Sequence, residues 1–355
     1  MNTIPTTFND SLPTYTAVGG SVRLGSTGLS AVILNRGGRY PRYTLFEELE
    51  KTGFDYVLSM ENTSIHSDLE ALSSSFPFVR FILTKEQLSP GEEINMAASE
   101  LSSPLFFVLW NDLRILRSGG AMRIAKRLLA EGSENKNVFK RLCTAPMIQD
   151  GRAETLPTLI APALIPEKKY RNVIRTIPFV PGKEGLPTLY PYDGIGIYDR
   201  ERFIRLNGFD PFIKNFYWQL MDFGFRSSLW GEEIATTQLI KLSYEGAVPQ
   251  EDSTAGKDFM RFFLKNLSPV FRRDFAHIPL RRFPEYYRKR GEFFAAWEEF
   301  SAARNWVKTN CYRFCSDARI MAERFSSLEG KNPDSPNNGH VEPNVAEDSS
   351  IGEEM

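Results

Sequence analysis

A chain of 355 residues, 42% hydrophobic and 25% charged, has the composition of a soluble globular protein and the length for one elaborated domain or two smaller ones. Its net charge of −1 supplies no global field for nucleic acid or an anionic membrane. Three cysteines, Cys143, Cys311 and Cys315, are an odd number without framework spacing, which excludes a disulfide scaffold and favours a reducing compartment.

Residues 1–28 read as an N-terminal tail: they carry neither the basic start nor the apolar core of a secretory signal. No stretch approaches the roughly 20 apolar residues of a membrane span. The expected location is therefore cytoplasmic, with peripheral contact at the inner face of a membrane left open. From residue 29 short apolar runs alternate with helical patterns, which predicts βα units and a largely parallel sheet. Ser30 to Asn35 reads as a strand, Tyr43 to Lys51 as a helix, and Phe54 to Met60 and Val79 to Leu83 as further strands. Pro90 to Leu101 reads as a helix, and Pro104 to Trp110 (PLFFVLW) as a strand buried on both faces because it lacks alternation. Such an order makes a nucleotide-binding half with its loops at the carboxyl ends of the strands.

Residues 117–150 predict a helix followed by a polar connection into Phe139 to Ile148, and 151–192, rich in proline, reads as irregular or as short strands. Residues 257–325 change character, with helices crowded by Phe, Tyr and Arg and a local surplus of about 7 positive charges. That surplus is either a solvated face or a surface for anionic lipid, with Phe259, Phe262, Phe263, Tyr286, Tyr287, Phe293 and Phe294 as apolar anchors. No nucleic-acid module surrounds it. Residues 326–355 are polar, mildly acidic and expected to be disordered.

The segment from Asp193 to Arg226 carries the strongest local signal. A small-residue strand leads into Asn207-Gly208-Phe209-Asp210 and then an aromatic helix ending in Asp222-Phe223-Gly224-Phe225-Arg226. Upstream, Trp110-Asn111-Asp112 follows a buried strand, Glu61-Asn62-Thr63-Ser64 ends another, and Gly91 and Asn95 lie on the intervening helix. In type and order these segments resemble family 2 glycosyltransferases over residues 29–248. The resemblance implies a GT-A fold, a Rossmann-like α/β mixed sheet flanked by helices, spanning 29–256 with 257–325 as a C-terminal helical extension.

It also implies roles. Glu61 falls where an acidic residue contacts the nucleoside, Asn95 at a donor-orienting position, Asn111 on the variable position of the metal motif as a further substrate-binding candidate, and Asp210 on the acceptor-side turn. Asp112 falls on the carboxylate that binds a manganese or magnesium ion bridging the donor diphosphate, a charge a hard cation with oxygen ligands neutralises. Glu245 stands near the position of a further metal ligand. Inverting transfer needs a base for the acceptor hydroxyl; Leu220 occupies the aligned position, which leaves Asp222 or Asp193. Trp110 likewise replaces a polar residue of the metal motif. Gly37-Gly38 reads as a turn near the donor pocket.

Neither a phosphate-binding Walker loop nor a serine-hydrolase elbow is present, and His66, His277 and His340 sit in uninformative contexts. Two functions remain in view. One is transfer of a sugar from a UDP- or GDP-linked donor to a glycan or lipid-linked acceptor, and the other is a transferase-like scaffold that binds without turnover.

Overall fold

The computed structural model describes residues 13–37, 42–62, 69–117, 119–134, 141–168 and 171–329. The first half runs β1 (Tyr15–Gly19), β2 (Leu29–Leu34), α1 (Arg42–Thr52), β3 (Val57–Asn62), α2 (Leu69–Ser75), β4 (Val79–Thr84), α3 (Pro90–Glu100) and β5 (Leu105–Trp110). The second runs β6 (Leu113–Ile115), α4 (Gly120–Glu134), β7 (Arg141–Gln149), β8 (Leu159–Lys168), β9 (Arg171–Phe179), β10 (Gly196–Asp199), α5 (Arg200–Arg205), α6 (Phe216–Leu229) and β11 (Glu233–Tyr244). The C-terminal part comprises α7 (Lys257–Phe262), a π-helical turn at Phe263–Leu267, the small hairpin β12 (Val270–Arg272) and β13 (Phe275–His277), α8 (Phe283–Arg290), α9 (Phe293–Thr309) and α10 (Ala318–Glu329).

Nine of these strands form one mixed sheet in the order β1-β4-β3-β2-β5-β10-β7-β11-β6. The neighbours β4, β3, β2 and β5 are parallel, while β10 runs antiparallel to both β5 and β7. Every residue of β2 and of β5 is buried, as their unbroken apolar runs require. Strands are added leftward from β2 to β3 and β4 and then rightward to β5. Between β2 and β5 the winding reverses, which opens a crevice outside their carboxyl ends where open α/β sheets bind ligands.

Two expectations change. The presumed N-terminal tail is part of the sheet from Tyr15, because β1 pairs antiparallel with β4 from Tyr15↔Thr84 to Gly19↔Arg80; residues 1–12 lie outside the described residues. The proline-rich stretch forms a long two-stranded hairpin, β8 with β9, since its prolines alternate with apolar residues that keep strand geometry. The expected disordered tail begins no earlier than the end of α10 at Glu329, and residues 330–355 are outside the description. Among the described residues no helix is long and apolar enough to cross a membrane.

The turn before α6 is set by Asn207 (φ 66°) and Gly208 (φ 51°), a left-handed pair that an Asn-Gly sequence adopts readily. It drops Phe209 into a ring cluster, stacked on Phe223 at 4.6 Å and tilted against Phe203 at 5.9 Å. Asn215 caps α6 by accepting the Trp218 N–H at 3.2 Å. The C-terminal helices are bolted to this region. Trp218 meets Phe259 at 4.9 Å and Phe262 at 5.4 Å, and Trp230 stacks on Trp306 at 5.9 Å.

The join contains a buried ammonium. Lys265 Nζ lies 2.7 Å from Asp210 and 2.9 Å from Asp222, with the Trp306 ring 4.7 Å away. Burial alone would raise both carboxyls, but Lys265 and Arg261 beside Asp210, and Arg226 and Lys265 beside Asp222, outweigh it and hold both below the ordinary range. Lys265→Met leaves two buried carboxylates short of a cation, and urea unfolding is expected to give a loss of about 3–5 kcal/mol. Because both folded-state pKa values are depressed, their contribution is full at neutral pH and is lost as pH falls below about 4. The stability gap between variant and wild type should therefore be widest at neutral pH and narrow as pH falls below about 4.

Candidate functional site

The crevice between β2 and β5 is occupied by one side chain, Arg36, two residues beyond the end of β2. All three residues of Trp110-Asn111-Asp112 hold it. Its guanidinium carbon stands 3.9 Å from the Trp110 ring centroid. Its backbone N–H donates to Asn111 Oδ1 at 3.0 Å, while Asn111 Nδ2 donates to Gly37 O at 3.3 Å, so one amide grips both sides of the turn. Its Nε lies 3.4 Å from Asp112 Oδ2. The far end of the guanidinium, Nη2, hydrogen-bonds Asp193 Oδ2.

Asp193 comes from a short 3-10 turn ahead of β10. Its own φ of 53° and that of Gly194, 72°, are both left-handed, a conformation Asp tolerates better than most residues. Trp110 Nε1 donates to the Asp193 carbonyl at 2.9 Å, and Tyr244 Oη, from the end of β11, donates to Asp193 Oδ2 at 2.7 Å. Oδ1 has no hydrogen-bond partner among the described residues. Burial raises the Asp193 carboxyl to about 6, against the opposing pull of Arg36 and Tyr244.

An open cleft of ≈ 380 Å³ rises above this group. Its walls are Trp110, Tyr192, Phe216 and Tyr217, with Arg36, Asp193 and Leu220 facing it and residues 249–252 along one edge. Aromatic rings beside carboxylates suit a polar ring with an apolar face, stacking on one and hydrogen-bonding to the other. Leu220, the residue at the aligned base position, faces the cleft without a proton acceptor. Gln219 next to it is turned away, clamped by the Gly91 N–H at 3.1 Å and by Ile213 O at 2.7 Å.

Other residues expected at the site stand elsewhere. Asp222 is fully buried, paired with Arg226 at 2.7 Å and accepting from Asn266 at 2.8 Å, and does not line the cleft. Asp210 is taken up by Lys265, by Arg261 at 2.7 Å and by the Phe212 N–H at 3.0 Å. Asn95 makes two 2.8 Å hydrogen bonds to the backbone of Phe209 and so pins the Asn-Gly-Phe-Asp turn to α3. Glu61 does sit at a strand end, but its oxygens are filled: Arg42 binds both at 2.8 and 3.0 Å, Asn35 adds 3.1 Å and Ser59 2.7 Å. Thr63, Ser64 and Gly38 lie outside the described residues.

The residues present do not fit the divalent cation that a GT-A fold implies. The guanidinium of Arg36 stands between Asp112 and Asp193, where a metal would need room. Glu245 is exposed and touches Asp112 only through its backbone N–H, at 2.9 Å to the Asp112 carbonyl. Among the described residues no group of three His, Cys, Asp or Glu side chains could hold a metal ion. Burial raises the Asp112 carboxyl in spite of Arg36, and its Oδ1 is buried without a partner.

The residues not anticipated from sequence are Arg36, Arg42, Tyr244 and Glu93. Glu93, on α3, is pushed up to about 8 by burial and by the charges of Glu61 and Glu92. The signal for Arg36 was present: a tryptophan in place of a metal-motif polar residue offers a platform for an organic cation, and Arg36 directly follows the neighbouring strand.

No family model and no curated protein matches the sequence. Among solved structures, the fold matches that of GT-A glycosyltransferases. A crystal structure of GalNAc-T7 with UDP, GalNAc and Mn2+ aligns with a TM-score of 0.53 at 12% identity, covering 88% of this chain and 59% of that one. The chain thus spans less than two thirds of that protein's length. S. aureus TarS gives 0.45 at 10% identity over 82% of this chain and 44% of that one. The mannosyltransferase PcManGT from Pyrobaculum calidifontis, in complex with GDP-Man and Mn2+, gives 0.41 at 9% over 91% and 77%. At such scores these two carry no weight, and at such identities the first speaks for the fold alone.

Asn95→Ala orphans a buried N–H and carbonyl of Phe209, each worth roughly 1–3 kcal/mol. Chemical denaturation should register that loss.

Proposed function

We propose that the protein is a glycosyltransferase that moves a sugar from a UDP- or GDP-linked donor to an acceptor hydroxyl held in the aromatic cleft, with Asp193 as the base. The observation that carries this is a half-free carboxylate, held at about 6, facing an aromatic-walled cleft beside the switch point of a GT-A sheet. The acceptor oxygen attacks the anomeric carbon and gives its proton to Asp193 Oδ1, while the bond to the diphosphate breaks and its electron pair leaves with the phosphate oxygen. Attack from the face opposite the leaving group inverts the anomeric centre. No step is routed through a metal, since no group of three ligating side chains is found among the described residues. Glu61, with Arg42 and Asn35, would meet the nucleoside through exchange of the Arg42 contact, and Asp210, Asn95 and Asp222 hold the framework.

A second reading, a scaffold that binds a nucleotide sugar without turnover, is favoured by Leu220 in the cleft and by the saturated Glu61. One experiment separates them. If Asp193 is the base, kcat/KM with UDP- or GDP-sugars rises with pH through about 6 and then levels, because the carboxyl must be ionised. Asp193→Asn should lower turnover about 10²–10⁴-fold and weaken donor binding much less. Donor binding by the wild type with no turnover against any acceptor panel selects the scaffold.

We also propose that the acceptor is presented at an anionic membrane, on the cytoplasmic side. Of the aromatic anchors expected from sequence, Phe262, Phe263 and Tyr286 are buried in the core and Phe259 is half-buried. Phe294 is 87% exposed, and the exposed rings of Phe293 and Tyr287 accompany it at the α8–α9 corner, with Trp297 exposed one turn further along α9. Arg288, on the last turn of α8, is exposed as well. Sedimentation with phosphatidylserine vesicles should carry the protein down at low salt, less at high salt, and less for Phe294→Ser/Trp297→Ser. Equal recovery on neutral and anionic vesicles would remove the membrane from the reading.

A further inference from the structure

We infer that the guanidinium of Arg36 is the fixed cation of the donor site, standing where GT-A enzymes would place a divalent metal, and that the ligand it receives is a nucleoside diphosphate. This rests on the nucleotide-sugar reading above and specifies how its charged part is bound. Each member of Trp110-Asn111-Asp112 acts on Arg36: a ring face at 3.9 Å, a backbone clamp at 3.0 Å and a carboxylate at 3.4 Å. A hard dication prefers small oxygen ligands in a shell, and an indole at the first position supplies none. A guanidinium prefers a flat π face and carboxylates at its edge, which is what this segment offers. Trp110 is thus no decay of a metal motif but the half of an exchange whose other half is Arg36.

Position supports the same assignment. Arg36 lies just beyond the carboxyl end of β2 and Asp112 just beyond that of β5, the two strands that flank the winding reversal. The guanidinium is not closed off, since it lines the ≈ 380 Å³ cleft, its side chain is 27% exposed, and Nη1 has no hydrogen-bond partner among the described residues. Its planar donors suit phosphate oxygens in a way a single point charge does not. Asp112 and Asp193 orient it as carboxylates orient a bound metal, leaving one edge for the ligand.

The test is calorimetric titration of UDP, GDP and the phosphate-free nucleosides into the full-length protein, in EDTA and again with manganese. Affinity for one diphosphate is expected to be equal in the two buffers within about two-fold. Arg36→Met should weaken that diphosphate by about ten-fold or more and leave the nucleoside's own weak binding alone. Arg36→Lys, which keeps the charge if the methionine variant unfolds, should retain binding in EDTA with reduced affinity. Diphosphate binding that appears only with manganese, or that survives Arg36→Met at full strength, overturns the role of Arg36 and leaves the nucleotide reading standing. No diphosphate binding in either buffer overturns the nucleotide reading itself.

Discussion

A guanidinium cannot be drawn half out of water at the centre of a sheet unless its partners are already in place, and the architecture around the cleft follows from meeting that condition for Arg36. Desolvating a charge costs several kcal/mol unless paired and hydrogen-bonded groups compensate. The compensating groups come from three places along the sheet: Trp110 at the end of β5 with Asp112 just beyond it, Asp193 from the turn before β10, and, through Asp193, Tyr244 from the end of β11. Parallel and antiparallel halves of the sheet are therefore tied together at one side chain. The left-handed backbone at Asp193 belongs to the same constraint, since it lets Trp110 reach the Asp193 carbonyl while the carboxylate turns toward Arg36.

A second buried cation repeats the logic on the other side of α6. Lys265 from the C-terminal part neutralises Asp210 and Asp222, two carboxylates that the glycosyltransferase-like segment from Asp193 to Arg226 would place at or near chemistry. Fully buried and spoken for, they now fix how the helices dock on the sheet. A hydrophobic pair could pack there as well. An ion triad, however, accepts only one register of α7 and the π-helical turn against α6, which suits a joint between two separately patterned parts of the chain.

The fold was largely legible because its information is local and repeated. The unbroken apolar runs of β2 and β5, the helical spacing of α3 and the Asn-Gly turn before α6 each announce their structure within a few residues, and their order names the sheet. The edge strand β1 was missed because Tyr15–Gly19 is mostly exposed and has no buried face to pattern. The β8–β9 hairpin was obscured by prolines that its two-stranded setting tolerates. Site residues were less legible for a physical reason: a carboxylate in a sequence does not say whether a cation will be waiting for it. Asp112, Glu61, Asp210 and Asp222 each met one, supplied by Arg36, Arg42, Arg261, Lys265 or Arg226 from elsewhere in the chain. Asp112 and Asp193 each kept one oxygen without a partner among the described residues, and of the two only Asp193 lines the cleft; nothing within five residues of it in sequence distinguishes it from the others.

On the proposed reading, the pairing of Arg36 with Asp193 links the two halves of the reaction. With Asp193 ionised, one guanidinium is shared by two carboxylates, and the group carries a net charge of −1, which opposes a diphosphate. Proton transfer from the acceptor removes the Asp193 charge. The guanidinium is then released from one of its two partners at the moment when charge grows on the departing diphosphate, and the local field turns less negative where the transition state needs it. This arrangement withholds part of the guanidinium's help until the acceptor reacts, and only interactions that strengthen on the way to the transition state raise the rate of the chemical step. A raised carboxyl at Asp193 serves both ends: it is basic enough to take the proton and, once protonated, neutral enough to let Arg36 go.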